Sequence, residues 1–82
     1  MSDNMEFGDA LVAVKAGARI ARGGWNGKGM WVELQVPDER SKMTLPYLFL
    51  NYPEGSGPHP DGAMVPWLAS QTDILADDWE VV

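Results

Sequence analysis

The sequence predicts a small α+β domain: a helix packed on a mainly antiparallel β-sheet, with a short C-terminal helix before the last strand. Three observations predict it. Phe7, Ala10, Leu11 and Val14 recur at helical spacing and run up to Gly17. Arg19-Ile20-Ala21-Arg22 and the run 30–36 alternate in polarity on either side of a glycine-rich stretch. Ser70, with Asp73 three residues on and Ile74-Leu75 behind it, is a helix start that leads into the extended Trp79-Glu80-Val81-Val82.

The first helix is expected over 7–16. Asp3 or Asn4 is suited to cap it, and Gly17 is placed to end it, since glycine enters the left-handed region at little cost. Strands are expected near 18–24, 29–36, 62–66 and 78–82. Between the first two lies Gly23-Gly24-Trp25-Asn26-Gly27-Lys28-Gly29. Its Asn-Gly is a strong hairpin signal, because both residues tolerate positive φ. Met30, Val32, Leu34 and Val36 fall on one face of the second strand, and Trp31, Glu33 and Gln35 on the other. The connection 37–42 is polar. Segment 43–52 is apolar and aromatic, and Pro46 and Pro53 bracket a stretch that fits one turn of helix or a short edge strand. Residues 54–62 form a loop that carries His59, the single histidine.

Eighty-two residues make one domain, 1–82. A chain this short buries only about 60% of its unfolded surface. It has no cysteine, so neither a disulfide nor a thiolate-bound metal supplements the core. Homo-oligomerisation is the expected remedy. No run approaches the roughly 20 apolar residues of a membrane span, and residues 1–6 lack the basic and apolar regions of a signal peptide. A soluble, cytoplasmic protein is expected. A net charge of −6 argues against duplex nucleic acid as a partner. The charge is uneven: residues 1–36 are neutral, while 37–82 hold eight acidic and two basic side chains. Lys15, Arg19, Arg22 and Lys28 leave room for a local positive surface that suits a small phosphorylated ligand.

Trp25-Asn26-Gly27 has two readings: a base-stacking indole beside an amide that reads a polar edge, or a core tryptophan beside a turn asparagine. Trp67, at the Pro66 corner, is core or pocket wall. The amides at the Ser70 helix start serve as cap sites or as a cradle for a polar ligand. Trp31 belongs to an oligomer face or a pocket wall, and Trp79 reads as packing. Four tryptophans exceed the needs of so small a core, and tryptophan is enriched at binding hot spots. Catalysis has little support: there is no Ser-His-Asp, HExxH, P-loop or GxGxxG pattern. Asp77-Asp78 reads as a solvated turn. Neither a metal nor a cofactor is called for.

Taken together, Phe7-Gly8-x-Ala10-Leu11, Arg22-x-x-Trp25-Asn26-Gly27-Lys28-Gly29-Met30, and Pro66-Trp67-Leu68-Ala69-Ser70-Gln71-Thr72-Asp73 with Asp78-Trp79 resemble the small phage-encoded Thoeris anti-defence family of the second type. The resemblance covers residues 5–36 and 61–82. It implies a sponge rather than an enzyme. Proteins of this family bind cyclic ADP-ribose isomers made by bacterial Thoeris TIR-domain proteins and withhold them from the effector. Some members also sequester cyclic oligonucleotides at separate sites. They assemble as homotetramers, with pockets where protomers meet, and act in the bacterial host cytoplasm.

Carried onto this chain, the resemblance implies that Trp25 or Trp67 stacks the base and that Met30 belongs to the same ligand-binding set. Asn26, Ser70, Thr72 and Asp73 would pair with polar edges or ribose hydroxyls. Arg22, Lys28 and the amides near Ser70 would meet the pyrophosphate. Asp73 goes to a ribose or an adenine amine, because a carboxylate repels phosphate. The alternative is an acidic interaction protein that inhibits a host protein by direct binding, which the net charge motivates. A hydrolase of the same signals would have only His59 or Asp73 as its base.

Overall fold

A computed structural model of the protein describes residues 4–25, 29–55 and 59–82. Its elements in chain order are α1 (Phe7–Lys15), β1 (Ile20–Arg22), β2 (Trp31–Gln35), β3 (Tyr47–Tyr52), β4 (Ala63–Pro66), α2 (Gln71–Leu75) and β5 (Trp79–Val81). The strands form one five-stranded sheet in the order β4-β3-β2-β1-β5, antiparallel at every pairing. The expected α+β architecture is therefore present, with the strands shorter than their sequence bounds.

α1 ends as its glycine predicts. Gly17 stands at φ 101°; its amide donates to the Val14 carbonyl and that of Ala18 to the Ala13 carbonyl, both at 3.1 Å. This is the Schellman arrangement. The start differs from expectation. The N-cap is Glu6, which makes no side-chain cap bond, and Asn4 lies upstream in the left-handed region at φ 56°. The cause is tertiary: Met5 exchanges backbone hydrogen bonds with Trp79 at 2.8 and 3.1 Å. That bridge holds the chain extended up to Glu6, beyond reach of a cap from Asn4.

In the undecided segment 43–52, Tyr47–Tyr52 forms β3 and 43–46 lies outside any helix or strand. The strand pairs with β2 from Trp31↔Asn51 to Gln35↔Tyr47 and with β4 from Phe49↔Pro66 to Tyr52↔Ala63. It is thus an interior strand, not an edge. Pro46 and Pro53 fall just outside it, where their missing amides cost no ladder bond, and Pro66 sits on the edge strand β4. The expected hairpin with a glycine-rich elbow is present in its strands: β1 and β2 are antiparallel neighbours, in register at Ile20↔Val32. Asn26-Gly27 lies outside the described residues.

The two faces of the sheet differ. On one, Ala10 and Val14 of α1 pack on Ile20, Val32, Leu50 and Trp79 to form the core, with Phe7 and Leu11 half-buried at its margin. Trp79 is fully buried; at 25 cal/mol per Å² a buried indole is worth about 4–6 kcal/mol. Val32 is buried as the alternation predicts, whereas Val36 projects past the strand end and is exposed. Neither helix packs on the other face. There Arg19 lies over the Trp31 ring at 4.9 Å, and the Trp31 indole and the Asn51 amide both donate to the Glu33 carboxylate.

Candidate functional site

Ser70 and Asp73 form the capping box that their spacing predicts. The Ser70 hydroxyl accepts from the Asp73 amide at 3.1 Å, and Asp73 Oδ2 accepts from the Ser70 amide at 3.0 Å. Asp73 does more than cap. Its Oδ1 accepts from Arg22 Nη1 at 3.0 Å and from the Trp25 indole at 3.4 Å, while its carbonyl accepts from the Trp79 indole at 2.9 Å. One buried carboxylate of α2 therefore ties together the helix start, the end of β1 and the glycine-rich connection.

Arg22 has a second acid. Its Nε donates to Asp78 Oδ1 at 2.9 Å, and the Gly24 amide donates to Asp78 Oδ2 at 2.8 Å. The expected solvated turn at Asp77-Asp78 is accordingly corrected: Asp78 is a half-buried ion-pair partner, brought to Arg22 by the β1–β5 pairing Arg22↔Trp79. Bonding to Asp78, reinforced by Asp73, outweighs burial and raises the Arg22 pKa above its ordinary value. Burial pulls the Asp73 carboxyl upward, but Ser70, Arg22 and the Trp25 indole outweigh it, so Asp73 lies below the usual carboxylate range. The Arg22 guanidinium lowers Asp78 in the same way, helped by the Gly24 amide. Two anions around one cation leave the cluster with a net negative charge. Arg22 is a neutralised cation here.

Above this network lies an aromatic group. Trp79 forms its floor, and Trp25 and Trp67 meet it edge-on with centroids at 5.5 and 5.9 Å. Trp25 and Trp67 touch each other at 6.3 Å and 65°, and Phe7 packs on Trp67 and Trp79. These offset and edge-to-face contacts are the favoured aromatic geometries, and they hold the half-exposed rings of Trp25 and Trp67 in fixed orientations.

A depression of about 320 Å³ opens where β1 and β2 diverge. The end of β1 lines it with Ala21, Arg22 and Gly23, the glycine-rich connection with Trp25, Gly29 and Met30, and the C-terminal strand with Glu80 and Val82. At Gly23 and Gly29 only backbone faces the space, so a ligand can approach the main chain closely. A larger depression of about 420 Å³ lies at the opposite end of the sheet, lined by Met43, Thr44, Leu45, Pro46, Tyr47 and Pro66. None of its lining side chains carries a charge.

The residues singled out from the sequence thus divide in two. Arg22, Trp25 and Met30 line the depression. Trp67, Ser70, Thr72 and Asp73 belong to the adjoining α2 start, where the Ser70 and Thr72 hydroxyls lie 3.0 Å apart. Asp73 joins the two groups, yet its acceptors and the amides of Ser70 and Asp73 are already paired within the chain. Asn26 and Lys28 lie outside the described residues. Trp31 stands on the sheet face that neither helix covers and does not line the depression. Asp78, Glu80 and Val82 were not legible as site residues. Two signals bore on Asp78: its place beside Trp79 in the family motif, and Arg22, an arginine in a half-buried strand that needs an anion. Among the described residues no group of acidic or histidine side chains is arranged to hold a metal, and no helix is long and apolar enough to cross a membrane.

Residues 5–82 match the Thoeris anti-defense 2-like domain (Tad2-like). The chain is also 35% identical over 88 residues to the Thoeris anti-defense 2 protein of Bacillus phage SP01, a match that spans 100% of this chain and 99% of that relative.

Proposed function

The chain belongs to the Thoeris anti-defense 2-like family, and from that premise we propose that it is a nucleotide sponge, binding a cyclic ADP-ribose-type signal and withholding it uncleaved from an immune effector. Family membership supports the anti-defence role itself. The sponge mechanism rests on one observation above the others: Trp25 and Met30, named from the sequence, face one depression whose remaining walls include bare glycine backbone.

In this reading an adenine stacks on the half-exposed Trp25–Trp67 surface, an interaction worth about 1–3 kcal/mol per base. Ser70 and Thr72 offer hydroxyls to ribose edges. Because Arg22 is neutralised by two carboxylates, the charge facing a pyrophosphate comes from Lys28 and from a neighbouring copy, with Asn26 reading a polar edge. A space of about 320 Å³ lies at the low end of the roughly 300–1,000 Å³ of ligand pockets. A ligand with one base, two riboses and a pyrophosphate needs more wall than one protomer supplies, which favours a homotetramer with sites between protomers. A sponge needs tight binding and slow release; it needs no base or nucleophile.

The test is recovery. Purified protein is mixed with cyclic ADP-ribose isomers produced by a TIR-domain protein, freed of unbound ligand, and heat-denatured. The reading expects the isomer back intact and, at one hundred times its Kd, a stabilisation of about 2.7 kcal/mol. A cleaved product, or no thermal shift with any isomer or cyclic oligonucleotide, refutes it. The second reading, direct inhibition of a host protein, is favoured by the apolar depression at the other end of the sheet. It expects a stable host-protein complex that survives Trp25→Ala.

A further inference from the structure

We propose that Asp78 is a positioning residue for this site: through Arg22 and the Gly23 and Gly24 amides it holds residues 22–24, and with Asp73 the Trp25 ring, in the ligand-ready arrangement before ligand arrives. The inference rests on the sponge reading and assigns a role to a residue that does not itself line the depression. Asp78 reaches three consecutive residues of the distant β1 end. Its carboxylate accepts from Arg22 Nε at 2.9 Å and from the Gly24 amide at 2.8 Å, and its carbonyl accepts from the Gly23 amide at 3.0 Å. Arg22 passes the restraint on, because its Nη1 and the Trp25 indole share Asp73 Oδ1. Residues 22–25 are thereby pinned to two carboxylates of the C-terminal segment.

Gly24 is the requirement that makes this contact. A Cβ there would stand 2.9 Å from Asp78 Oδ2, closer than real Cβ atoms come, so any other residue pushes the carboxylate off the amide. Neither Asp73 nor Asp78 lines the depression, whereas Arg22, Gly23 and Trp25 do. The two acids therefore act through the residues they hold. A pinned loop has already lost the freedom that a mobile one surrenders on binding, and restraint of this kind raises affinity mainly by slowing release. Arg22, with its donors directed at both acids, belongs to the clamp and is not the phosphate ligand.

The experiment is a double-mutant cycle of Asp78→Asn, Arg22→Gln and the pair. Binding of TIR-produced cyclic ADP-ribose isomer is measured by calorimetry, and the ligand-free proteins are followed by ¹⁵N NMR. Each single change is expected to weaken binding on the order of tenfold, the weight of one charge-assisted hydrogen bond. The pair is expected to be no worse than the weaker single variant, since both break one clamp. In ligand-free protein the Gly24 amide is expected to exchange faster and the Trp25 indole resonance to move, while that of Trp79 stays. Losses that multiply, binding within about twofold of the parent, or an unchanged Gly24 amide overturn the proposal. If Asp78→Asn does not fold, Gly24→Ala keeps both carboxylates, breaks the same contact and is held to the same outcomes. If the parent protein binds no isomer, the sponge reading fails, and the ligand-free resonances still decide the clamp.

Discussion

Replacing Asp73 by asparagine changes one oxygen for an amide group in a space built wholly from donors. Its Oδ1 faces Arg22 Nη1 and the Trp25 indole, and its Oδ2 faces the Ser70 amide. Asparagine can turn its remaining oxygen to one side only, so its NH₂ must oppose a donor on the other. The loss is one charge-assisted hydrogen bond together with a buried donor left unpaired, about 2–3 kcal/mol after allowance for the Asp78 bond that Arg22 keeps. An 82-residue domain is stable by about 4–12 kcal/mol, so this is a large share. The midpoint of thermal unfolding should fall by roughly 10–20 °C. Ser70→Ala removes the cap and an exposed contact with the Thr72 hydroxyl and should cost about 1 kcal/mol; the excess cost of Asp73→Asn reports the Arg22 and Trp25 side of the network. Urea unfolding followed by far-ultraviolet circular dichroism, at one fixed protein concentration because self-association shifts apparent stability, is the assay. Asp73→Asn matching Ser70→Ala, with an unchanged denaturant slope, would refute the view that Asp73 does more than cap its helix.

Stability should depend on pH through the same cluster. Asp73 and Asp78 are held below their ordinary 3.8, so the folded state binds fewer protons than the unfolded one. Their contribution is complete above that value and is lost as pH falls through the depressed folded values. A flat stability from pH 5 to 7 and a fall below about 4 are expected, and the fall should be shallower in Asp73→Asn. Arg22, raised above its ordinary value by its bonds to Asp78 and Asp73, contributes fully below its unfolded pKa and loses its effect only as pH rises through its folded pKa, so no change is expected near neutrality. Gly17→Ala places a Cβ in open space but at φ 101°, so it should cost about 1–2 kcal/mol of conformational strain alone, read as a lower urea midpoint with an unchanged slope. Trp79→Ala empties the centre of the aromatic group and should cost about 3–5 kcal/mol, read as the largest drop in urea midpoint among these variants.

Local chemistry determined much of this protein from the sequence alone. The helical spacing of Phe7, Ala10, Leu11 and Val14, the glycine that ends α1 and the Ser70–Asp73 box depend on residues a few positions apart, and each appears as its pattern predicts. So do the alternating strands and the burial of Trp79. What tertiary structure alone decided has a common cause: contact between residues far apart in the chain. Within segment 43–52, Tyr47–Tyr52 became an interior strand because β2 and β4 offered it ladders on both sides. Asn4 did not become the expected helix cap, because the next residue, Met5, bridges to the backbone of Trp79. Asp78, ordinary in its own stretch, met Arg22 across 56 positions because β5 closes the sheet beside β1. That pairing also turned Arg22 from a free cation into a neutralised one. No spacing rule could report it, since charge compensation in a fold is set by which strands become neighbours.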